Sequence, residues 1–585
     1  MEFFRDLWWF FKQEKLAYTL SIVGVAVVGL LRPVAASTVG TVVDKLAAGT
    51  VSTAELVWGG VLLLGVGVLI YGMRNLWQLA LYISAAKLSR LLRERLYLHF
   101  TRQTPGFYHR HRIGDLMAHA TNDIQTVEMT AAGGFMLLSG FIIIGGLVTV
   151  SMGVLVSWKL TLITLIPMFF LAWINTRYGS LLNRHFRQAQ EAFSTLNGKV
   201  QENISGIRVI KSLGLENAEI TSFTTLSAEV LAKNMATARV NALYDPTLQL
   251  LVGFCFFLAL ACGSWFVALG ELTIGQITQF TMMLNQIIIP FLSFGYGLNL
   301  LEKGKVSYAR INSLLRTDTA VADKPGAAAE IPGGDLQVQI RTFRYPGAET
   351  ASLEDVQIKV RRGETLGITG KTGSGKSTLL RLLLREFELE EGVIGIGGRS
   401  IADYKLDSLR RAIGYVPQDH FLFSATIAAN IAWGKPEAGG PEIRAAAKLA
   451  AIHEDIRGFP QGYETLVGER GVTLSGGQKQ RISIARALLR DPEILILDDC
   501  LSAVDARTEQ ALLQGLRENR LHKTTLIATH RLSAVAHADR IIVLEEGRIK
   551  EQGTHAELLA LGGWYAQIYR QQQLESLIME GEGSA

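Results

Sequence analysis

A glycine-rich segment, GKTGSGKS, contains the residue types that bind phosphate groups, and it follows a short hydrophobic strand pattern, TLGITG. Its glycines let successive backbone N–H groups converge on phosphate oxygens. Lys376 adds a positive charge, and Ser377 offers a hydroxyl to Mg²⁺ where a helix is predicted to begin. The pattern predicts a nucleoside triphosphate site with magnesium. The candidate residues are Gly370, Lys371, Thr372, Gly373, Ser374, Gly375, Lys376, Ser377 and Thr378.

A second stretch, ILILDDC, ends a hydrophobic strand pattern with two neighbouring carboxylates, Asp498 and Asp499. A buried strand carries its last side chains to the edge of a sheet, where a carboxylate can reach a metal ion. We therefore predict that Asp498 and Ser377 are magnesium ligands. Asp499 occupies the next position and is a candidate for the chemistry on the bound nucleotide.

Composition divides the chain into two parts. It has 585 residues, 49% of them hydrophobic, and a formal net charge of +5. Residues 17–300 contain long runs almost free of charge, whereas residues 336–570 have the composition of a globular domain. We find no concentrated basic patch with interleaved aromatic residues, so no nucleic-acid partner is expected. Cys255, Cys262 and Cys500 lack metal-ligand spacing and are interpreted as buried free thiols.

Six segments are apolar enough to cross a lipid bilayer, which takes about 20 residues each. The long link 83–132 is rich in Lys and Arg, so the positive-inside rule places it in the cytosol. An even number of spans then leaves both termini and the nucleotide-binding part cytosolic. The sequence thus predicts a multi-pass protein of the cell (inner or plasma) membrane. The predicted spans are 17–42, 55–82, 133–157, 160–178, 247–269 and 274–300.

The polar side chains inside these spans include Arg32, Arg74, Asn75, Asn285 and Gln286. An arginine at the bilayer centre costs about 2.5–3.5 kcal/mol on insertion scales, so it should face a cavity, a partner or the interface. We regard these side chains as candidates for lining a transport cavity. The alternative is that the arginines extend toward the membrane surface.

The order of segments predicts four parts. Residues 1–316 would form the membrane domain, and 317–335, rich in Ala, Pro and Gly, would form a linker. Alternating residues in LQVQIRTF then open a nucleotide-binding domain over 336–570. Residues 571–585 would form a polar C-terminal tail.

Further motifs in a fixed order give the chain a resemblance to the ABC exporters. GYVPQDH, LSGGQ, SAVD and His530 accompany GKTGSGKS and ILILDDC, and a membrane-spanning half precedes them all. The resemblance covers essentially the whole chain outside the last ~15 residues. It implies an all-α membrane domain of six transmembrane helices with long cytosolic extensions, followed by an α/β P-loop ATPase domain. It also implies ATP and Mg²⁺ as ligands.

The same resemblance implies a role for each motif. Tyr345 would stack on adenine, Gln418 would sense magnesium and touch the membrane half, and His530 would hold the γ-phosphate. Asp505 would cross the interface between two subunits. GERG, from Gly468 to Gly471, would form a contact loop typical of exporters. The LSGGQ residues Ser475, Gly476, Gly477 and Gln478 would bind ATP held by the opposite subunit, so that one such chain cannot complete a site alone.

Two further stretches resemble the cytosolic turns of ABC exporters, whose short helices press on the ATPase domains. They are GDLMAHATND, from Gly114 to Asp123, and QENISGIRVIKSLG, from Gln201 to Gly214. Ordinary solvated helical linkers would have much the same sequence.

Asp499 departs from the family pattern, which has a glutamate there to polarise the attacking water. The aspartate stem is one C–C bond shorter, roughly 1.5 Å, and a misplacement of ~1 Å can cost on the order of 100-fold in rate. We expect ATP binding to survive and hydrolysis at this chain's own site to be slow, unless a backbone shift restores the reach. This pattern resembles the degenerate-site half of heterodimeric bacterial multidrug ABC exporters.

The expected function is ATP-driven export of amphipathic drugs or other hydrophobic compounds, together with a second ABC half-transporter. A lipid flippase, a peptide exporter and a homodimeric exporter are the nearest alternatives, followed by an ATP-gated channel or regulator. Six spans exclude a soluble P-loop kinase.

Overall fold

A computed structural model describes residues 2–468, 474–501 and 504–582. The chain forms two compact units. One contains the residues up to Thr101 together with His111–Thr317, and the other contains Arg102–Arg110 together with the chain from Asp318 onward. We call them the membrane unit and the ATPase unit and describe each by itself.

The described residues of the membrane unit and of the segment Arg102–Arg110 form helices joined by short connections. Long apolar helices alternate with short ones, and four of the long helices contain an internal proline. The helices are α1 Glu2–Asp6, α2 Trp8–Gln13, α3 Lys15–Ala47, α4 Thr53–Arg102, α5 Pro105–Arg110, α6 Ile113–Ala118, α7 Ile124–Met129, α8 Phe135–Ser139, α9 Gly146–Met152, α10 Trp158–Ser205, α11 Ile207–Leu213, α12 Glu216–Ala268 and α13 Ile274–Leu315. Wider, π-type turns join α6 to α10 at His119–Asp123, Thr130–Gly134, Gly140–Gly145 and Gly153–Ser157.

Five helical stretches of the described chain are long and apolar enough to cross a membrane. The third, Ile113–Ser205, contains both predicted spans 133–157 and 160–178. A break separates them, because Ser157 has an extended backbone (φ −161°, ψ 123°) and caps α10. Its hydroxyl accepts a hydrogen bond from the Leu160 N–H at 3.4 Å. The six predicted segments therefore map onto five stretches, one of which is interrupted.

Helix α13 lies at the centre of the membrane unit, with Phe280 and Met283 fully buried. It approaches α3 so closely that a Cβ at Gly275 would lie 2.0 Å from the carbonyl oxygen of Gly40. Asp44 fixes this contact, because its carboxylate accepts a hydrogen bond from the Gly275 N–H at 2.7 Å. Glycine at 275 is thus required by the close approach of two backbones.

The ATPase unit contains two sheets. A four-stranded antiparallel sheet has the order β2-β1-β4-β5, and a six-stranded sheet has the order β10-β9-β3-β8-β7-β6 with β9, β3, β8, β7 and β6 parallel. The strands are β1 Leu336–Phe343, β2 Leu353–Val360, β3 Thr365–Gly370, β4 Glu391–Ile396, β5 Arg399–Ser400, β6 Ile413–Val416, β7 Ile494–Asp498, β8 Thr524–Ala528, β9 Arg540–Glu545 and β10 Arg548–Gly553.

Ten helices complete the described part of the ATPase unit, besides α5 and two short 3₁₀ turns. They are α14 Lys376–Leu383, α15 Leu406–Ala412, α16 Ile427–Ala432, α17 Gly440–Leu449, α18 His453–Gly458, α19 Gly476–Leu488, α20 Ala506–Asn519, α21 Leu532–Val535, α22 His555–Leu561 and α23 Trp564–Glu582. The last helix runs across the predicted start of the tail at residue 571 and is helical to Glu582.

The position of strand β7 between two cores explains why its sequence is continuously hydrophobic. Leu495 and Leu497 pack into one core, Ile494 and Ile496 into the other, and all four are buried. A parallel strand covered on both faces needs apolar residues at every position. Because β3, β8 and β7 are parallel neighbours, their carboxyl ends meet at one edge, where the phosphate loop and Asp498 both lie.

The predicted linker is hydrogen-bonded to the ATPase unit rather than separated from it. The Ala328 N–H donates to the Asp403 carbonyl at 2.9 Å, and the Ser408 hydroxyl donates to the Ala329 carbonyl at 2.8 Å. The buried Arg385 guanidinium donates to the Ala322 carbonyl at 2.8 Å. Residues 322–329 therefore form a strap along this unit.

Candidate nucleotide-binding site

The phosphate loop joins β3 to α14 and depends on glycines in the left-handed region. Gly370, Gly373 and Gly375 have φ values of +144°, +82° and +102°. A Cβ at Gly370 would lie 2.1 Å from the Leu544 carbonyl oxygen, and one at Gly375 would lie 2.7 Å from a Leu353 side-chain carbon. Larger residues are therefore excluded. The loop ends at the N-terminus of α14, where backbone N–H groups and the helix dipole favour a phosphate group.

Lys376 is folded back over this loop. Its ammonium donates hydrogen bonds to the carbonyl oxygens of Gly370 and Lys371, both at 2.9 Å. Burial lowers the pKa of Lys376, and the carboxylates of Asp499 and Asp498 partly offset this effect. The side chain thus lies where it can exchange carbonyl oxygens for phosphate oxygens.

The remaining loop residues occupy different environments. Lys371 and Thr372 are exposed, and the Lys371 ammonium lies 3.5 Å from the Glu545 carboxylate. Ser374 and Thr378 are buried. The loop therefore presents its tip to solvent while its base is anchored in the domain.

Asp498 and Ser377 are brought together as the sequence predicted. The Ser377 hydroxyl donates to Asp498 Oδ1 at 3.2 Å, and the Tyr415 hydroxyl donates to Asp498 Oδ2 at 3.2 Å. Burial raises the pKa of Asp498 in spite of these hydrogen bonds. A buried carboxylate with incompletely compensated charge, beside a hydroxyl, fits the oxygen ligands that Mg²⁺ takes; phosphate and water would supply the others.

Tyr415 was missed by the sequence reasoning. It lies on β6, the strand that pairs with β7, in register with Ile496. Burial raises its pKa, with the neighbouring Asp498 charge as the next cause, so the phenol stays protonated and remains a donor. The signal available was its place in GYVPQDH, three residues before Gln418.

Asp499 adopts a left-handed backbone conformation, with φ of +47°. Its N–H donates to the Ala528 carbonyl at 2.7 Å, and its Oδ1 lies 2.9 Å from His530 Nδ1. The Thr529 hydroxyl donates to the same oxygen at 3.4 Å. The structure therefore brings Asp499 and His530 together as a directly contacting pair.

The C-terminal helix α23 holds the turn that carries His530, and the sequence did not indicate this contact. The Gln572 side chain donates to the His530 carbonyl at 2.9 Å and accepts from the Leu532 N–H at 2.9 Å. A contact between positions 42 residues apart leaves no local pattern that would have revealed it. Gln572 lies within the predicted tail.

Tyr345 lies next to the base of the phosphate loop. Its hydroxyl donates to the Thr378 hydroxyl at 3.0 Å, and its ring packs edge-on against Phe387 at 5.1 Å between ring centres. The side chain is half-buried. This position leaves part of an aromatic surface available beside the loop.

Gln418 is exposed after β6, and its side chain makes no hydrogen bond to the part of the chain that the structure describes. It therefore makes no direct hydrogen bond to Ser377 or Asp498.

LSGGQ begins α19 at the surface of the ATPase unit. Ser475 is exposed and caps the helix: its hydroxyl accepts from the Gln478 N–H at 3.3 Å. The Gln478 side chain donates to Asp455 at 3.3 Å. Gly476 is exposed and Gly477 half-buried. The four residues thus form a helix N-terminus whose first two residues, Ser475 and Gly476, are exposed at the surface of the ATPase unit.

Asp505 caps α20 by accepting a hydrogen bond from the Thr508 N–H at 2.9 Å, and this bond lowers its pKa. Its side chain is exposed. In GERG, residues 469–471 lie outside the described residues, as do Ser502 and Ala503 of SAVD.

Both predicted cytosolic turns belong to the membrane unit, and a third short helical segment belongs to the ATPase unit. Gly114–Asp123 folds within the membrane unit, whereas Arg102–Arg110 belongs to the ATPase unit. Phe107 on α5 is 1% exposed, and a Cβ at Gly106 would lie 3.1 Å from the Phe387 ring. Local sequence could not decide this, because both segments are short, polar and helical. The second turn contains α11 and belongs to the membrane unit.

Two of the polar residues in the membrane unit bond across helices, each through its side chain to the backbone of the other. Arg32 donates to the Gln286 carbonyl, and the Gln286 side chain donates to the Arg32 carbonyl, both at 3.5 Å. Arg32 is therefore held against α13 rather than in contact with lipid alone. Asn285 is exposed.

A phosphate loop with a carboxylate at the edge of a parallel sheet, joined to a long helical membrane unit, defines a membrane transport ATPase. Comparison with known proteins agrees with this class. Residues 18–291 match the family described as "ABC transporter transmembrane region", and residues 353–502 match the family "ABC transporter".

Several curated proteins are similar over almost their whole length. One from Bacillus subtilis (strain 168), a probable multidrug resistance ABC transporter ATP-binding/permease protein, YheI, is 42% identical over 99% of each chain. The multidrug resistance-like ATP-binding protein MdlA of Escherichia coli (strain K12) is 42% identical over 99% of this chain and 98% of its own. Among solved structures, a bacterial Atm1-family ABC exporter with ATP bound matches with a TM-score of 0.79 and 27% identity, covering 96% of this chain and 98% of that one.

The chain belongs to the ABC transporter family. It is an exporter-type half-transporter: a multi-pass membrane protein with a helical membrane domain followed by an α/β ATPase domain. The ATPase domain binds ATP and couples its hydrolysis to transport. A half-transporter of this kind works as a dimer with another ABC half.

Proposed function

We propose that this chain is the weak-site half of a heterodimeric exporter of amphipathic drugs and other hydrophobic compounds. The observation that carries the proposal is Asp499, a short carboxylate held by His530 at 2.9 Å and by Thr529 at 3.4 Å. The shorter stem withdraws the carboxylate by roughly 1.5 Å relative to glutamate. A displacement of this size is enough to slow hydrolysis on the order of 100-fold.

Nucleotide binding does not depend on that carboxylate. In the proposed site Lys376 and the loop N–H groups bind the phosphates, Tyr345 stacks on adenine, and His530 lies beside the γ-phosphate. Ser377 and Asp498 bind Mg²⁺, and Gln418 joins them after the loop that carries it moves inward. The proposed domain limits are 1–316, 317–335, 336–570 and 571–585.

The intact LSGGQ motif supports a role at the partner's site. Ser475, Gly476, Gly477 and Gln478 form a helix N-terminus with Ser475 and Gly476 exposed, which is suited to a phosphate group supplied by another subunit. Asp505, exposed at the start of α20, is placed at the same proposed interface. In this arrangement the partner supplies a glutamate for the hydrolysis that LSGGQ completes.

The exposed apolar side chains of the short helix α11 are a separate argument for a second subunit. Ile207, Val209 and Leu213 are 47%, 58% and 65% exposed, respectively. Three apolar side chains on a seven-residue helix between α10 and α12 favour burial against another protein surface. We propose that the partner's ATPase domain covers them.

The substrate class rests on the relatives, two of which carry multidrug resistance in their names. A lipid flippase, a peptide exporter, a homodimeric exporter and an ATP-gated channel or regulator are the competing functions. Transport of fluorescent dyes, labelled lipids and labelled peptides in parallel proteoliposomes separates the transport functions, and single-channel recording detects a channel.

The proposed cycle is a shift between two arrangements of the dimer. In the closed form, each phosphate loop and the opposite LSGGQ share one nucleotide, so ATP favours closure. The long helices transmit this closure to the membrane spans, and hydrolysis at the partner's site reopens the dimer. Both termini and the ATPase domain are cytosolic in the proposed orientation, in the cell membrane.

The test compares three preparations: this chain alone, this chain with its partner half, and the Asp499→Glu variant alone. We expect phosphate release to be slow for the first and restored for the second. Asp499→Glu should raise the rate of the chain alone by at least about tenfold, since it returns the carboxylate to reach of water. Asp499→Asn is the control that keeps the shape and removes the charge.

Rapid hydrolysis by the unaltered chain alone would contradict the weak-site assignment. Loss of binding of the fluorescent nucleotide TNP-ATP in Asp499→Glu would identify a folding defect rather than a catalytic effect.

A further inference from the structure

The membrane unit contains a cavity of about 400 Å³ where α10, α12 and α13 meet. Asn175, on its wall, lies about 26 Å along α10 from Trp158 at 1.5 Å per residue. The hydrocarbon core of a bilayer is about 30 Å thick. The cavity therefore lies near the level at which an amphipathic molecule changes from apolar to polar surroundings.

One wall of the cavity is pre-organised by hydrogen bonds. Asn175 donates to the Leu292 carbonyl at 2.6 Å and accepts from the Tyr244 hydroxyl at 2.5 Å. The Tyr178 and Tyr244 rings lie 5.8 Å apart between ring centres, and the Tyr178 hydroxyl is 3.3 Å from the Thr247 hydroxyl. With these polar ends engaged within the wall, the tyrosines present ring surface to the cavity.

Helix α13 contributes polar groups with hydrogen-bonding capacity to spare. Tyr296, Asn299 and Lys303 follow one another along α13, and none hydrogen-bonds through its side chain to another residue that the structure describes. Lys303 is exposed and is the one charged side chain in the described lining. No carboxylate accompanies it there.

We propose that this cavity binds aromatic amphipathic compounds that carry an anionic group, such as a carboxylate or sulfonate. The aromatic ring lies against Tyr178 and Tyr244, and the anion lies beside the Lys303 ammonium. This inference rests on the proposed export of amphipathic compounds and narrows its substrate class. A cationic ligand would instead require a carboxylate; the neighbouring Asp245 is exposed and is not part of the lining.

The test uses two dyes with the same xanthene ring system and opposite charge, fluorescein and rhodamine 123. Their binding to the purified transporter in lipid nanodiscs, with its partner half where one co-purifies, is measured by fluorescence anisotropy. We expect fluorescein to bind more tightly. Lys303→Met should weaken fluorescein binding about fivefold, the size expected for a partly exposed ion pair, and Lys303→Arg should restore it.

Lys15→Met is the matched control, because Lys15 is an exposed lysine of the same unit away from the cavity. Tyr244→Phe removes the hydrogen bond to Asn175 and should weaken binding of fluorescein while its charge preference remains. TNP-ATP binding verifies that each variant is folded, so failure of this proposal is distinguishable from failure of the ATPase assignment.

Two results would overturn the proposal. One is fluorescein binding that is unchanged in Lys303→Met. The other is tighter binding of rhodamine 123 that is lost in Asp245→Asn, which would assign the cavity to cations.

Discussion

The two oxygens of Asp498 are held by hydroxyl groups from different elements. Ser377, at the start of α14, bonds to Oδ1, and Tyr415, on β6, bonds to Oδ2. Only the first partner was predicted from the sequence, because it belongs to the phosphate-loop motif. The second partner lies in GYVPQDH, a motif in which the sequence indicated a role only for Gln418.

Tyr415→Phe should therefore raise the Mg²⁺ concentration needed for half-maximal TNP-ATP binding by about fivefold. This corresponds to about 1 kcal/mol, the net value of one hydrogen bond. The reason is that Asp498 loses its fixed orientation toward the metal. A titration of Mg²⁺ at constant nucleotide measures the effect.

Tyr463→Phe is the matched control, since Tyr463 hydrogen-bonds to His453, at 2.7 Å, and not to Asp498. An unchanged Mg²⁺ requirement in Tyr415→Phe would show that Ser377 and the fold alone orient the carboxylate.

Among the elements, α23 has a larger role than a terminal helix usually has. Its Gln572 bridges the His530 carbonyl and the Leu532 N–H, and so fixes the turn that carries His530. Gln572→Ala should slow the residual ATP hydrolysis of this chain alone several-fold while TNP-ATP binding stays near normal. Phosphate release and nucleotide binding on the same preparation measure the two effects.

Gln571→Ala is the control, because Gln571 bonds only to Glu575 on its own helix among the described contacts. Equal rates for the two variants would mean that α21 and the Asp499 contact already fix His530.

In the membrane unit, a carboxylate outside the predicted spans joins the turn after α6 to α13. Asp123, in the turn after α6, bonds to Arg310 Nε on α13 at 3.0 Å and lies 2.6 Å from His119 Nδ1. Burial raises the pKa of Asp123, but hydrogen bonds from Arg310 and His119 lower it to about 2.

A carboxylate with a lowered pKa stabilises the folded form above its unfolded pKa of about 3.9. This contribution is lost as the pH falls from about 4 to about 2. Asp123→Asn should lower the melting temperature at pH 7, and the difference from the unaltered chain should shrink below pH 4. Thermal unfolding in detergent at pH 7 and pH 3 measures it, with the exposed Asp115→Asn as control.

For the whole molecule, the exposed α11 tests the proposed contact with a partner subunit. Leu213→Asp should leave TNP-ATP binding intact, because Leu213 is 65% exposed in the single chain. It should reduce substrate-stimulated hydrolysis by the dimer about tenfold, since a charge would be buried in the proposed interface. Leu231→Asp, at an exposed position of α12 outside the short helix, is the control. Equal stimulation in both variants would argue against an interface at α11.

Short sequence patterns predicted the features that depend on neighbouring residues along the chain. The phosphate loop follows from glycine conformations, and β7 follows from burial on both faces. Gln572 could not be found in this way, and the contact of Tyr415 with Asp498 could not be either, because each reaches the site from a distant element. The packing of Arg102–Arg110 was missed for the same reason: which short helix packs on Phe387 depends on tertiary contacts, not on helix-forming sequence.

The strap over residues 322–329 also bears on how such transporters can be recombined. Arg385 is 2% exposed, and its guanidinium depends on the Ala322 carbonyl for one of its partners. A chimera joined at residue 336 would pair this buried arginine with a foreign strap and risk leaving a cation without its acceptor. A junction near residue 317 would instead keep Arg385 and the Ala322 carbonyl together from the same parent protein.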